Sequence, residues 1–208
     1  MAALAFRLDA DADDPHAFAG ELIATAAAAT RSHAHAVSVA LASSDDPSRV
    51  EALHFFALLH AERPSVAAMA ASVDPDRWLA SFAERFEAER AWIGRSTITV
   101  AAPRRTDLSR HEHLVRGQRE AMLTLARSDR AGCALGAVAA LAADWPALRS
   151  ALAGEVPEHA DIEIATAIAA VAHSPASRRA IGFGAAQMTA IHRTLWDLLE
   201  ARQAASLP

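Results

Sequence analysis

The chain has 208 residues, is 52% hydrophobic and 22% charged, and carries a net charge of −5 with histidine neutral. Roughly a quarter of it is alanine and it lacks tyrosine, lysine and asparagine, so strong helix formers dominate and an all-β fold is excluded. One cysteine, Cys133, excludes an intramolecular disulfide framework, and arginines interleaved with Asp and Glu argue against a basic nucleic-acid face.

Proline punctuates the chain. Asp14-Pro15, Asp46-Pro47, Asp74-Pro75 and Ser174-Pro175 each join an N-cap residue to a proline at the first helical position. Val156-Pro157 is a weaker start, and Thr106-Asp107 offers caps without proline. These signals predict helices at about 15–31, 47–62, 75–94, 107–128, 131–143, 157–173 and 175–203, with short helical turns near 64–72 and 146–153. The expected fold is an all-α, single-domain, up-and-down-type bundle of six to seven helices, with frayed ends at 1–13 and 204–208. The β-branched run Ser96–Val100 and the alternation His35–Leu41 have strand character. They are expected to pair as a short two-stranded ribbon (35–41 with 96–101), or 33–43 continues a helix.

The most apolar run, Ala131–Ala143, falls short of the ~20 residues a membrane span needs. The N-terminus has no basic region followed by a long apolar core. A cytoplasmic protein with no membrane partner is expected.

Helical phase, at about 100° per residue, sorts side chains by face. Helix 107–128 has a seam of Leu108, His111, Val115, Gln118, Met122 and Leu125. His113, Glu112, Arg116 and Glu120 point away from it. Helix 175–203 has a seam of Ile181, Ala185, Met188, His192, Leu195 and Leu199, with Trp196 at its edge. Helix 75–94 presents Trp78, Phe82, Phe86 and Ile93, and Glu89 shares their phase. Helix 47–62 is apolar nearly all round and is therefore central. It carries Glu51 and His54 on one side.

Five polar residues thus fall on apolar faces: Glu51, His54, Glu89, His111 and His192, with Gln118 nearby. Each buried unpaired polar group costs about 1–3 kcal/mol, so five would remove as much as a typical domain's stability. They must be paired or bind something. Imidazole and carboxylate are the ligand set of iron, manganese or zinc, and helical bundles build such sites from facing helices. Glu51-Ala-Leu-His54 resembles the carboxylate motif of ferritin-like di-iron proteins. That motif implies a second Glu-x-x-His, which this chain lacks, so three histidines and a carboxylate would form a mononuclear site instead.

Three readings follow. In one, the five residues converge on a metal ion or, with Gln118, on a small-molecule ligand. In another they are structural pairs, such as His54 with Glu51 or His192 with Glu89. The chain is then a non-catalytic interaction protein, a homodimer through its Ala-rich faces. A helix-turn-helix regulator drawn over 47–72 fits poorly, because the surroundings are apolar and acidic. No phosphate-binding glycine loop, GxSxG elbow or HExxH motif is present. Gly132 and Gly136 mark a close helix crossing, and Gly182-Phe183-Gly184 a kink or close approach. Cys133 reads as a small core residue. Asp161 reads as a first-turn carboxylate favoured by the helix dipole, and His33 and His35 read as solvated.

Overall fold

Helices α1 (Pro15–Ser38), α2 (Pro47–His60), α3 (Val66–Val73), α4 (Arg77–Ile98), α5 (Leu108–Ala126), α6 (Cys133–Ala153), α7 (Ile164–Val171) and α8 (Pro175–Ala204) make up the structure. It is a computed structural model that describes residues 14–38, 47–74, 76–99, 108–154 and 163–205. The all-α bundle expected from composition is the observed fold, and its helices share one contiguous hydrophobic core.

Local chemistry explains several helix ends. Asp14 accepts from the backbone N–H of His16 at 2.9 Å and opens α1. Ser174 accepts from Ser177 N–H at 3.1 Å, and the Ser177 hydroxyl answers at the cap backbone, a reciprocal capping box ahead of Pro175. The α4 cap lies two residues beyond the expected Asp74. Asp76 takes the role, accepting from Trp78 N–H at 2.8 Å and Leu79 N–H at 3.2 Å, while Asp74 closes α3. Asp46, Thr106, Asp107, Val156, Pro157 and Asp161 lie outside the described residues.

Two expectations are corrected. The breaks expected around Pro146 are absent, and α6 runs through it. The lost backbone donor is tolerated because Trp145 and Leu148 on either side are buried and packing holds the turn. No strand occurs among the described residues. Residues 35–38 end α1, 96–98 end α4 and Thr99 is its C-cap, and 39–41 and 100–101 lie outside the described residues. The β-branched end of α4 stays helical because its hydroxyls bond back along the helix: Ser96 to the Trp92 carbonyl at 3.0 Å and Thr97 to that of Gly94 at 2.8 Å.

Neighbourhood does not follow chain order. A plain up-and-down order would set α1 beside α2. Instead α1 packs on α6, α7 and α8, while α2, α3, α4 and α5 form the other half. Contacts of α6 with α5 and of α2 with α8 join the halves. The α6–α8 crossing is the tightest. A Cβ on Gly136 would fall 2.0 Å from the Ile181 carbonyl oxygen, and one on Gly184 would fall 2.0 Å from that of Cys133. Both glycines are used for backbone-to-backbone approach, as the spacing of Gly132 and Gly136 suggests. Gly132 itself turns the chain into α6 with φ +90°, a conformation glycine adopts without strain. Cys133 is buried and unpaired in this crossing.

Candidate functional site

The buried polar residues do not form one centre. The deepest group lies where α2, α6 and α8 meet. The α8 seam is buried as its phase predicts, with His192 fully enclosed at 0% exposure. His192 Nδ1 is bonded to the Asp144 carboxylate of α6. Its Nε2 lies 3.0 Å from Nε2 of His60, the last residue of α2. Asp144 and His60 are also buried.

Proton placement follows from donor and acceptor chemistry. A carboxylate only accepts, so the His192 proton sits on Nδ1. Its Nε2 is then bare, and His60 Nε2–H donates to it. The rings approach nitrogen to nitrogen, with centres 5.1 Å apart and planes at 79°. Phe56, Phe86 and Trp145 surround the His60 ring. That dry shell, then His192, then the Arg119 cation of α5 hold the His60 pKa well below 6.5. The second oxygen of Asp144 has no hydrogen-bond partner among the described residues.

Glu51 belongs to a different group. Arg202, near the end of α8, donates two bonds to its carboxylate, Nε to Oε2 and Nη2 to Oε1, both 3.0 Å. The third guanidinium nitrogen donates to His111 Nδ1 at 2.6 Å. Glu51 and Arg202 are both buried, and the fork geometry supplies the planar match that a buried pair requires.

His54 turns to α5 instead, 2.8 Å from Glu112, whose other oxygen lies 3.5 Å from Arg116. Glu89 accepts from the Trp145 indole N–H at 3.0 Å and from Arg149 Nε at 2.8 Å. The Arg149 guanidinium also stacks 3.5 Å above the Trp92 ring, a cation–π contact. Gln118 is partly buried, and its Oε1 has no hydrogen-bond partner among the described residues.

Of the five residues singled out by phase, only Glu51 and His111 come together, through Arg202. His54, Glu89 and His192 each sit in a separate group. Glu51 and His54 share a helix but take different partners. Among the described residues, no group of three or more His, Cys, Asp or Glu is placed to hold a metal ion.

Sequence reasoning misses most of the partners, including Glu112, which it turns away from the core face, and Trp145 and Arg149. His60 lies four residues after Phe56 and Arg202 three after Leu199, so both continue buried stripes and phase alone places them. Asp144 is obscured because Pro146 reads as a break. Arg119 is obscured because the buried face of α5 (Val115, Arg119, Met122, Leu123, Ala126) is turned from the expected seam. The Arg119 Nη2 donates to the Pro64 carbonyl at 3.0 Å, and its Nε lies 3.4 Å from Glu62.

The fold and these groups define an all-α bundle whose interior is laced by internal ion pairs and a histidine–histidine bond. No helix among the described residues is long and apolar enough to cross a membrane. The chain belongs to a family of unknown function, DUF6975, whose model matches residues 25–206. No curated protein and no solved structure matches it.

Proposed function

We propose that this chain is a non-catalytic interaction protein, a rigid helical scaffold whose buried His and Glu residues are structural pairs. One observation carries the reading: Glu51, His54, Glu89, His111 and His192 each have a side-chain partner on another helix of the same chain. Both ring nitrogens of His192 are engaged, which leaves no lone pair for a ligand without rearrangement. Each pair ties two helices and fixes their register, a use well attested for buried polar groups.

The first partner to test is a second copy, because two-fold dimers are the commonest assembly. The Ala-rich faces of α6 are already spent against α1 and α8. The exposed apolar residues Ile98 and Leu114, 83% and 53% accessible, are better anchors. Sedimentation velocity at micromolar concentration should give a species of twice 22.0 kDa that reverts to monomer in Ile98→Asp or Leu114→Asp. A monomer at every concentration removes the dimer. Elemental analysis of protein never exposed to chelator provides the other arm. Stoichiometric iron, manganese or zinc that drops in His192→Ala would replace the scaffold reading with a metal centre.

A further inference from the structure

His60 occupies an unusual place. It is the last residue of α2, so exposing it requires opening only one helical turn and the Ala61–Ser65 segment that follows. Inside the bundle, every neighbouring element bears on its charge. From α8 it faces His192, with Asp144 of α6 behind that ring. From α5 it faces the Arg119 cation, which Glu62 meets from the segment after His60. From α4 and α6 it faces the rings of Phe86 and Trp145.

We propose that His60 is a pH-operated latch, whose protonation releases the end of α2 and the 61–65 segment from the bundle while α6 and α8 stay packed. The bond to His192 holds one proton between two nitrogens. A further proton leaves a cation in a dry aromatic shell beside Arg119. In the open state that cation is solvated and lies at a helix C-terminus, where positive charge is favoured. The closed state therefore prefers a neutral His60 and the open state a cationic one.

The burial that depresses the His60 pKa sets the sign. The open form binds more protons once the pH falls below 6.5, so opening is favoured by acid and becomes independent of pH above that value. While His60 in the closed form stays neutral, the opening constant rises about tenfold for each pH unit below 6.5. Ala61 packs against the core and Ser65 is buried; the segment's other ties are polar: Arg90 to the Ala61 carbonyl at 2.6 Å, Arg119 to that of Pro64 and to Glu62, and the surface pair of Arg63 with Glu87.

Hydrogen exchange of the full chain between pH 7.5 and pH 5, corrected for intrinsic rates, tests this. Amides of 57–65 should lose protection by that factor while amides of α6 keep theirs, and His60→Phe should abolish the pH dependence. Unchanged protection in the wild type, or equal loss in His60→Phe, overturns the proposal. Should His60→Phe fail to fold, the ring-nitrogen resonances of His60 in the wild type decide. Titration concurrent with the exchange supports the latch, and titration near 6.5 without local opening refutes it.

Discussion

Gly184→Ala adds one methyl group at the tightest point of the bundle. The new Cβ would lie 2.0 Å from the Cys133 carbonyl oxygen and 3.0 Å from the Ala137 nitrogen. Both neighbours are helix backbone, so neither can rotate aside. Normal carbon–oxygen contact begins beyond about 3.2 Å, so the α6 and α8 axes must separate by about 1 Å. A gap of that size forfeits a quarter to a half of the dispersion energy of each contact it opens. Overpacking of ordinary side chains costs about 1–3 kcal/mol, and a backbone obstacle sits at or above the top of that range. The gain in helix propensity returns about 1 kcal/mol. The net expectation is a loss of about 2–4 kcal/mol, measured by urea unfolding with unchanged m. Gly117→Ala is the internal control. It lies in α5, and a methyl group there would meet nothing within 4 Å, so it should stabilise by about 0.5–1 kcal/mol. If the two variants shift stability alike, the close-crossing argument is wrong.

Arg202→Met strips the bidentate partner from buried Glu51. It should cost about 3–5 kcal/mol, and adding Glu51→Leu should recover most of this, because the penalty lies in the stranded charge. Thermal unfolding of both variants checks it, and a double variant no more stable than Arg202→Met would contradict it. Glu89→Ala removes the acceptor shared by Trp145 and Arg149. A loss of about 1–3 kcal/mol is expected, with a change in Trp145 fluorescence that Glu84→Ala, at an exposed site, does not reproduce. Burial would raise the Glu87 pKa, but hydrogen bonds from Arg90 and Arg63 outweigh it and hold it below 4.5. Its stabilisation is therefore present above pH 4.5 and lost as the pH falls through the lower folded-state value. Because Glu87 and Arg63 are open to solvent on one side, Glu87→Gln should cost under about 1 kcal/mol at pH 7 and less in 1 M salt; a larger, salt-independent loss would refute that.

Much of the fold is legible because helix faces follow from spacing. The α8 seam from Ile181 to Leu199 and the α4 residues Trp78, Phe82, Phe86 and Ile93 are buried as phase requires. Caps at Asp14 and Ser174 are legible for the same local reason. What spacing cannot supply is the partner. Phase pairs His192 with Glu89, yet it meets Asp144 and His60; it pairs His54 with Glu51, yet His54 meets Glu112. Such pairings join residues 48 to 151 positions apart, and they depend on how the helices are placed in space. The arginines are the blind spot. Charge alone sends them to solvent, but Arg119 and Arg202 are buried, because their long stems and planar heads suit an interior lined with carboxylates and carbonyls.

The packing of α1 on α6, α7 and α8 has a consequence for synthesis. The first helix leaves the ribosome well before its partners. At about 5–20 residues per second, the roughly hundred residues between the end of α1 and the middle of α6 take many seconds to emerge. Throughout that interval Phe18, Leu22 and Ala26, all buried in the finished bundle, have no native surface to cover them. The α2–α5 half can assemble as it is made, whereas α1 must wait for α6, α7 and α8. The nascent chain therefore exposes α1 to chaperones and to premature association for longer than the α2–α5 half.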